Sequence, residues 1–390
     1  MRLINPYTPG AGKMPTCLAG REELINDAKN NIQATINGYP QNPVIFYGLR
    51  GVGKTVLLNA IEKEADDQPV IVEHIEIAER GSFLRQIAIS SHKIYRELSR
   101  AGAAKEAFGK LKSVISAFYV TYNPSDSTFT AGLSDDVMYR TVGNASEDMT
   151  DLMVNLGKAA EKAGKPICFF IDEIQYMKTD EMEALINALH RCNQLRLPIV
   201  FYGAGLPKIL KIFGEVKSYS ERLFQFWEIG NLREEDAVQA IVMPAKKFGV
   251  EFNEEALNEI LDETEGYPYF IQALCSVVWK RTSGNTIDVD GVKDNEKVYL
   301  EDLDGGFYKV RFDRCTKREQ EFLYAMVLCG DLPCTIANVA KHMKSSVSKI
   351  SPFRAQLIDK GLIYATGHGE VDFTVPKFGE YLTRVMSKKQ

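Results

Sequence analysis

The run Gly48-Leu49-Arg50-Gly51-Val52-Gly53-Lys54-Thr55 concentrates more potential chemistry than any other stretch of this 390-residue chain. It has the pattern G-x-x-x-x-G-K-[ST]. Its glycines open backbone conformations closed to other residues, so that successive N–H groups can turn inward toward anionic oxygens. Lys54 then reaches the β- and γ-phosphates of a nucleotide, and the Thr55 hydroxyl is a ligand for Mg²⁺. A helix that starts here directs its positive end at the same anion. Gly48, Gly51, Val52, Gly53, Lys54, Thr55 and Val56 therefore form the expected nucleotide-binding set.

Such a loop needs a second, carboxylate element. The apolar run Ile167–Ile171 ends in Asp172-Glu173. Asp172 is expected to hold Mg²⁺, directly or through water. Glu173 is placed to polarise the attacking water as general base. His74, His92 and His190 have no second ligand at metal spacing and read as structural.

The elements that must position these groups follow from local pattern. "NPVIFYG" is a short buried strand before the loop, and an amphipathic helix runs on from Thr55. Further strands are read at Pro69–Ile77, Lys165–Glu173, Leu197–Gly205 and within Glu221–Gly230. Residues 80–160 are helix-rich, interrupted by "FYVTYNPSDSTFTAGL". The β-branched and aromatic runs of that segment, around Asn123-Pro124-Ser125-Asp126, predict a hairpin. Strands alternating with helices predict an α/β fold with a parallel five-stranded sheet between helical layers. After Asn231 the strand signals fade into helices. From about Phe307 the texture changes to helices followed by a small β signal.

The composition, 45% hydrophobic and 25% charged, is that of a globular protein with a sizeable core. No apolar run reaches the length of a membrane helix, and the start of the chain lacks the apolar core of a signal peptide. The seven cysteines form no CxxC pair and fit a reducing, cytoplasmic setting. Net charge is −5, but residues 309–390 carry 14 Lys/Arg against 8 Asp/Glu, a local +6 on an acidic body. A basic tail of this kind points modestly to an anionic partner such as DNA.

With these motifs in place, the chain resembles the AAA+ ATPases, and within them the prokaryotic ATPases related to archaeal and eukaryotic origin-recognition initiators. The segments that carry the resemblance are "NPYTPGAG…LAGREELI", the phosphate loop, "FFIDEIQYM", "GAGLPKIL…KSYSERLF", "GYPYFIQ" and "FTVPKF". It implies three domains. These are a P-loop nucleotide-binding α/β domain over 1–230, with the helical and hairpin insertion at 80–160, an all-α lid over 231–306, and a C-terminal winged helix-turn-helix over 307–390. It implies that Gly20 and Arg21 lie beside the adenine. It also implies that Arg222 is an arginine finger acting in trans on a neighbouring subunit's ATP, hence a homo-oligomer.

Two departures qualify the resemblance. The fourth strand ends in Gly203-Ala204-Gly205, where such enzymes place a polar sensor residue. The lid helix opens with Gly266-Tyr267-Pro268, and the next basic residues, Lys280 and Arg281, come about three turns later. This Gly-x-Pro form is similar to that of STAND signalling ATPases, in which the proline, here Pro268, approaches the nucleotide. Both departures imply a slow switch instead of a fast motor.

In the C-terminal segment, Thr335–Lys344 is expected as a second helix and Lys344–Ser346 as the turn. A third helix runs to Lys360 with Gly361 as its cap, and Pro352 limits how early that helix begins. Leu362–Ala365 and Val371–Thr374 are the expected wing strands. If the module reads duplex DNA, Lys344, Ser345, Ser346, Ser348, Lys349 and Arg354 are the contacts, with His368 at the wing tip. The expected function is an ATP-binding, Mg²⁺-dependent ATPase switch acting on DNA in replication, plasmid or mobile-element maintenance. The alternatives are a STAND-like signalling or defence ATPase using the winged helix for protein contacts, and an ATP-bound scaffold without turnover.

Overall fold

The computed structural model describes residues 4–100, 105–123, 141–217, 220–367 and 369–386. The chain falls into two compact units. A sheet unit comprises Arg21–Gly48 and Lys54–Ile229, and a helical unit comprises Met1–Gly20, Leu49–Gly53 and Gly230–Gln390.

The sheet unit contains, in order, α1 (Glu22–Ile36), β1 (Val44–Tyr47), α2 (Lys54–Asp66), β2 (Ile71–Glu76), α3 (Phe83–Arg100), α4 (Lys105–Tyr122), α5 (Ala145–Ala163), β3 (Ile167–Asp172), α6 (Thr179–Gln194), β4 (Ile199–Gly205), α7 (Lys208–Val216), α8 (Ser220–Leu223) and β5 (Gln225–Glu228). The strands form one parallel sheet in the order β2-β3-β4-β1-β5. Burial follows position. β3 and β4 are inside the sheet and buried at every residue, whereas β2, at one edge, alternates buried and partly exposed residues. This is why the inner strands read in sequence as continuous apolar runs. The loop after β1 and the acids ending β3 both leave the sheet at its carboxyl edge, where open α/β sheets bind ligands.

Helices α3 to α6 supply much of the core, with Ile87, Ile94, Leu111, Phe118, Met149, Leu156, Met182 and Leu189 all buried. Glu181, also buried, ties two helix starts together. Its carboxylate accepts from Ser82 Oγ at 2.7 Å and from the N–H groups of Leu84 and Lys178, both at 3.3 Å. Three donors from the two helix starts thus satisfy one charge that would otherwise be costly to bury.

The expected hairpin is corrected in its first half. Phe118–Tyr122 is the last turn of α4, with Phe118 and Tyr119 buried. Leu111, Val114, Ile115 and Phe118 recur at helical spacing, and burial against α3 and α5 outweighs the β propensity of the local composition. The remainder of that segment, 124–140, lies outside the described residues.

The helical unit contains α9 (Glu234–Lys246), β6 (Glu251–Phe252), α10 (Glu254–Thr264), α11 (Pro268–Arg281), β7 (Thr286–Ile287), α12 (Val289–Asp302), α13 (Lys309–Phe312), α14 (Lys317–Leu328), β8 (Cys334–Thr335), α15 (Ile336–His342), α16 (Val347–Asp359), β9 (Ile363–Tyr364), β10 (Glu370–Phe373) and α17 (Phe378–Met386). A two-residue parallel pair, β6 and β7, is the one strand pairing among the described residues of 231–306. A π-helical turn, Leu303–Tyr308, joins α12 to α13, so the helical path is continuous across position 306. The irregular lead-in is strapped onto this unit. Asn5 Nδ2 donates to Ser276 Oγ at 2.8 Å, and the Trp279 indole donates to the Ile4 carbonyl at 2.7 Å.

In the C-terminal part, β8, β10 and β9 form a three-stranded antiparallel sheet beside α14 to α17. Helix α16 begins at Val347, with Pro352 inside it, which corrects the expectation that the proline delays its start. A proline at the sixth helical position removes a single i→i−4 bond, and the first four N–H groups have no such partner in any case. Gly361 follows the cap with φ 64°, the left-handed region that glycine enters at no steric cost. All seven cysteines are free, and no described helix is long and apolar enough to cross a membrane.

Candidate nucleotide-binding site

Strand β1 delivers the chain into the loop between β4 and β5, and α2 begins directly at Lys54. Gly51 and Gly53 adopt φ of 87° and 91°, values closed to residues with a Cβ, so the motif's glycines are required by conformation. No acidic residue of α2 itself occupies its first turn. Lys54 Nζ lies 3.0 Å from the Gly48 carbonyl, which accepts its proton.

The acids ending β3 meet α2 directly. Thr55 Oγ1 donates to Asp172 Oδ2 at 2.6 Å, across 117 residues of sequence. The other Asp172 oxygen accepts from the Glu173 N–H at 2.7 Å, and the carboxylate is buried. Glu173 itself turns out of the strand with φ 54° and ψ 37°, a strained conformation for a residue with a side chain. A short 3-10 turn, Ile174–Tyr176, follows. The hydroxyl and carboxylate are hard oxygen donors side by side, the donor set that Mg²⁺ prefers when it also binds a phosphate.

The loop's middle residues, Leu49–Gly53, make their contacts within the helical unit. The Arg50 N–H donates to the Thr374 carbonyl and Arg50 Nε to the Gly361 carbonyl, both at 3.3 Å. Over Gly51, a Cβ would stand 2.9 Å from the Tyr267 hydroxyl and 3.2 Å from Tyr269 Cβ. Burial pushes the Tyr267 hydroxyl far up from its ordinary range, with Arg311 and Arg50 opposing the shift. Arg311 is held down from its ordinary value first by burial and next by the charge of Arg50. Its guanidinium lies over the Phe307 ring at 4.2 Å, and Phe307 stacks on Tyr269 at 4.4 Å.

The remaining expected residues are placed as follows. Val52 is buried and Val56 half-buried. Gly20, at φ 67°, faces the Asp236 carboxylate, 2.7 Å from where its Cβ would stand. Arg21 immediately precedes α1, and Pro268 is the first residue of α11. Arg222 lies on α8, exposed. Lys344, Ser345, Ser346, Ser348 and Lys349 are all exposed around the start of α16, while Arg354 is half-buried. His368 lies outside the described residues. The structure therefore gathers Lys54, Thr55, Asp172 and Glu173 at one edge of the sheet. It adds two residues that the sequence reading passed over, Arg50 and Gln175. Both lie beside recognised motifs, one inside the loop and one two places after Glu173, but no local feature marks either.

This fold, a parallel five-stranded sheet of order β2-β3-β4-β1-β5 with the phosphate loop after β1, is that of the P-loop AAA+ NTPases. Residues 18–202 match the AAA ATPase domain family. Residues 305–382 match a domain of unknown function, DUF8462. No curated protein matches the chain. Among solved structures, the Walker-type ATPase PABY2304 of Pyrococcus abyssi is similar over 94% of this chain and 96% of its own, with 13% identity and a TM-score of 0.54. The Aeropyrum pernix ORC1 protein, solved in complex with DNA, covers 96% of each chain at 14% identity and a TM-score of 0.47. The Thermotoga maritima RuvB Holliday junction branch migration motor covers 94% of this chain and 95% of its own at 15% identity and a TM-score of 0.44.

Proposed function

We propose that this protein is an ATP-binding, Mg²⁺-dependent molecular switch that hydrolyses ATP slowly and acts on duplex DNA. The observation that carries the nucleotide part is the 2.6 Å contact between Thr55 Oγ1 and Asp172 Oδ2, with Glu173 next in the chain. The loop's N–H groups and Lys54 take the phosphates. Thr55 and Asp172 would hold Mg²⁺, which would supply charge neutralisation on the bound phosphates. Glu173 accepts the proton of the attacking water. In this reading the exposed Arg222 serves a neighbouring copy in trans in a homo-oligomer.

Slowness is supported by Gly203 and Gly205, which offer no polar side chain to the reacting phosphate. Switching is supported by Arg50, a residue of the phosphate loop that two C-terminal carbonyls hold. The reading divides the chain into a nucleotide-binding domain (1–230), a lid (231–306) and a winged helix (307–390). The winged-helix assignment is supported by the order α14-β8-α15-α16-β9-β10 and its three-stranded sheet. DNA binding is supported by the exposed Lys344, Ser345, Ser346, Ser348 and Lys349 at the start of α16 and by the local +6 charge. The Arg50 contacts also favour a second reading, a STAND-like signalling ATPase whose C-terminal module serves protein contacts. Phosphate release from MgATP by the parent protein and by Glu173→Gln tests the enzymatic core. Turnover in the parent and its loss in the variant are expected, and equal rates in the two would overturn it.

A further inference from the structure

Strand β4 ends in Gly203-Ala204-Gly205, between β3 and β1. Its glycines are dictated by packing. A Cβ on Gly203 would stand 2.7 Å from Ile45 Cδ1 and 3.2 Å from Ile174 Cδ1. One on Gly205 would stand 2.7 Å from Gln175 Oε1 and 2.9 Å from Ile174 Cγ2. The space that side chains at these two positions of β4 would fill is therefore taken by Ile45 of β1 and by Ile174 and Gln175. The latter two belong to the short turn after Glu173, and both are buried.

Gln175 uses both ends of its amide. Oε1 accepts from the Leu206 N–H, the first residue past β4, at 3.0 Å. Nε2 donates to Glu173 Oε2. The orientation is fixed by its partners, because a flipped amide would set its NH₂ against a backbone N–H and its carbonyl against a carboxylate. Glu173 is thus held at two points. Its backbone N–H donates to Asp172 and its side chain receives the Gln175 amide.

We propose that Gln175 is a positioning residue for hydrolysis, aiming Glu173 at the attacking water from the turn that packs against the bare end of β4. The proposal rests on the ATPase reading above. One Glu173 oxygen is tied to Gln175, which leaves the other to accept the water proton. In that step the water oxygen bonds to the γ-phosphorus, its proton passes to Glu173, and the bond to the bridging oxygen breaks, with ADP leaving on that electron pair. A residue acting this way shapes kcat and leaves ATP affinity alone, since ground-state binding belongs to the loop and Lys54.

The test uses two variants of the full chain, measuring MgATP affinity by titration and turnover by phosphate release at pH 8. Gln175→Met keeps the volume and removes both hydrogen bonds. Gln175→Glu keeps the acceptor for Leu206 and replaces the donor to Glu173 with a second carboxylate. Both variants are expected to lose about 10–100-fold in kcat, as misplaced catalytic groups do, with ATP affinity unchanged within about twofold. A residue that only secured the end of β4 would leave Gln175→Glu with parental turnover, and that result overturns the proposal. A parent that binds MgATP and releases no phosphate overturns the hydrolysis reading and this one with it. A parent that hydrolyses beside an equally active Gln175→Glu overturns this one alone.

Discussion

Gly203→Ala tests whether packing, and nothing subtler, keeps the end of β4 bare. Gly203 is paired with Ile45 of β1 on one side and Ile171 of β3 on the other. Its added methyl would stand 2.7 Å from Ile45 Cδ1, about 1 Å inside the ordinary carbon–carbon separation of roughly 3.5–4.0 Å. Ile45, Ile174 and Phe201, the three nearest side chains, are all buried, so relief must come from an off-rotamer shift. Overpacking of this kind costs about 1–3 kcal/mol. Restricting the unfolded chain returns about 0.4–1 kcal/mol. Taken at mid-range, the net expectation is a loss of about 1.3 kcal/mol, or about 3–5 °C in Tm for a unit of this size. Ile45→Val removes the clashing methyl and alone costs about 0.5–1.5 kcal/mol. In the double variant the two losses overlap, with a favourable coupling of about 1 kcal/mol. Urea unfolding followed by circular dichroism measures all four corners of the cycle. Strict additivity, or a Gly203→Ala protein as stable as its parent, would refute the packing argument.

Two further outcomes are expected. Binding to duplex DNA should weaken steeply with salt, and Lys349→Glu with Arg354→Glu should abolish it, each lost phosphate contact lowering the salt slope by about 0.9; no binding at low salt, or unchanged binding by the variant, contradicts the DNA reading. His92, on α3 and edge-on to Tyr119 at 5.1 Å, is held down to about 4, first by burial and then by the charge of Arg96. The unfolded chain then binds the extra proton below pH 6.5 while the native state resists it to about 4. Stability should fall across that window, and His92→Gln should flatten the fall in urea midpoints measured between pH 7 and 4. His74, raised by its hydrogen bond to Glu62, works in the opposite sense and loses its contribution as pH rises, so the two histidines are separable.

The inner strands were legible because burial on both faces makes them unbroken apolar runs, and the loop was legible because its glycines, lysine and threonine are adjacent in sequence. Asp172 and Glu173 followed from the strand they terminate. The α4 segment misled because Phe118–Tyr122 is aromatic and β-branched, while its helical partners Leu111, Val114 and Ile115 lie upstream of the turn-like Asn123-Pro124. Gln175 was passed over because nothing local distinguishes it from a polar turn residue. Its role depends on Leu206, which the sheet brings to it from 31 positions away. Arg50 is the extreme case. Its carbonyl partners, Gly361 and Thr374, lie more than 300 residues along the chain, a distance at which no sequence periodicity operates.

The central claim, that Thr55, Asp172 and Glu173 form an ATP-hydrolysing centre, is tested most directly by phosphate release from MgATP under saturating nucleotide, comparing the parent with Glu173→Gln. The account predicts measurable release by the parent and a fall of about 10²–10⁴-fold in the variant, which retains bound ATP. Release by the variant at the parental rate, or a parent that does not bind MgATP, would contradict it.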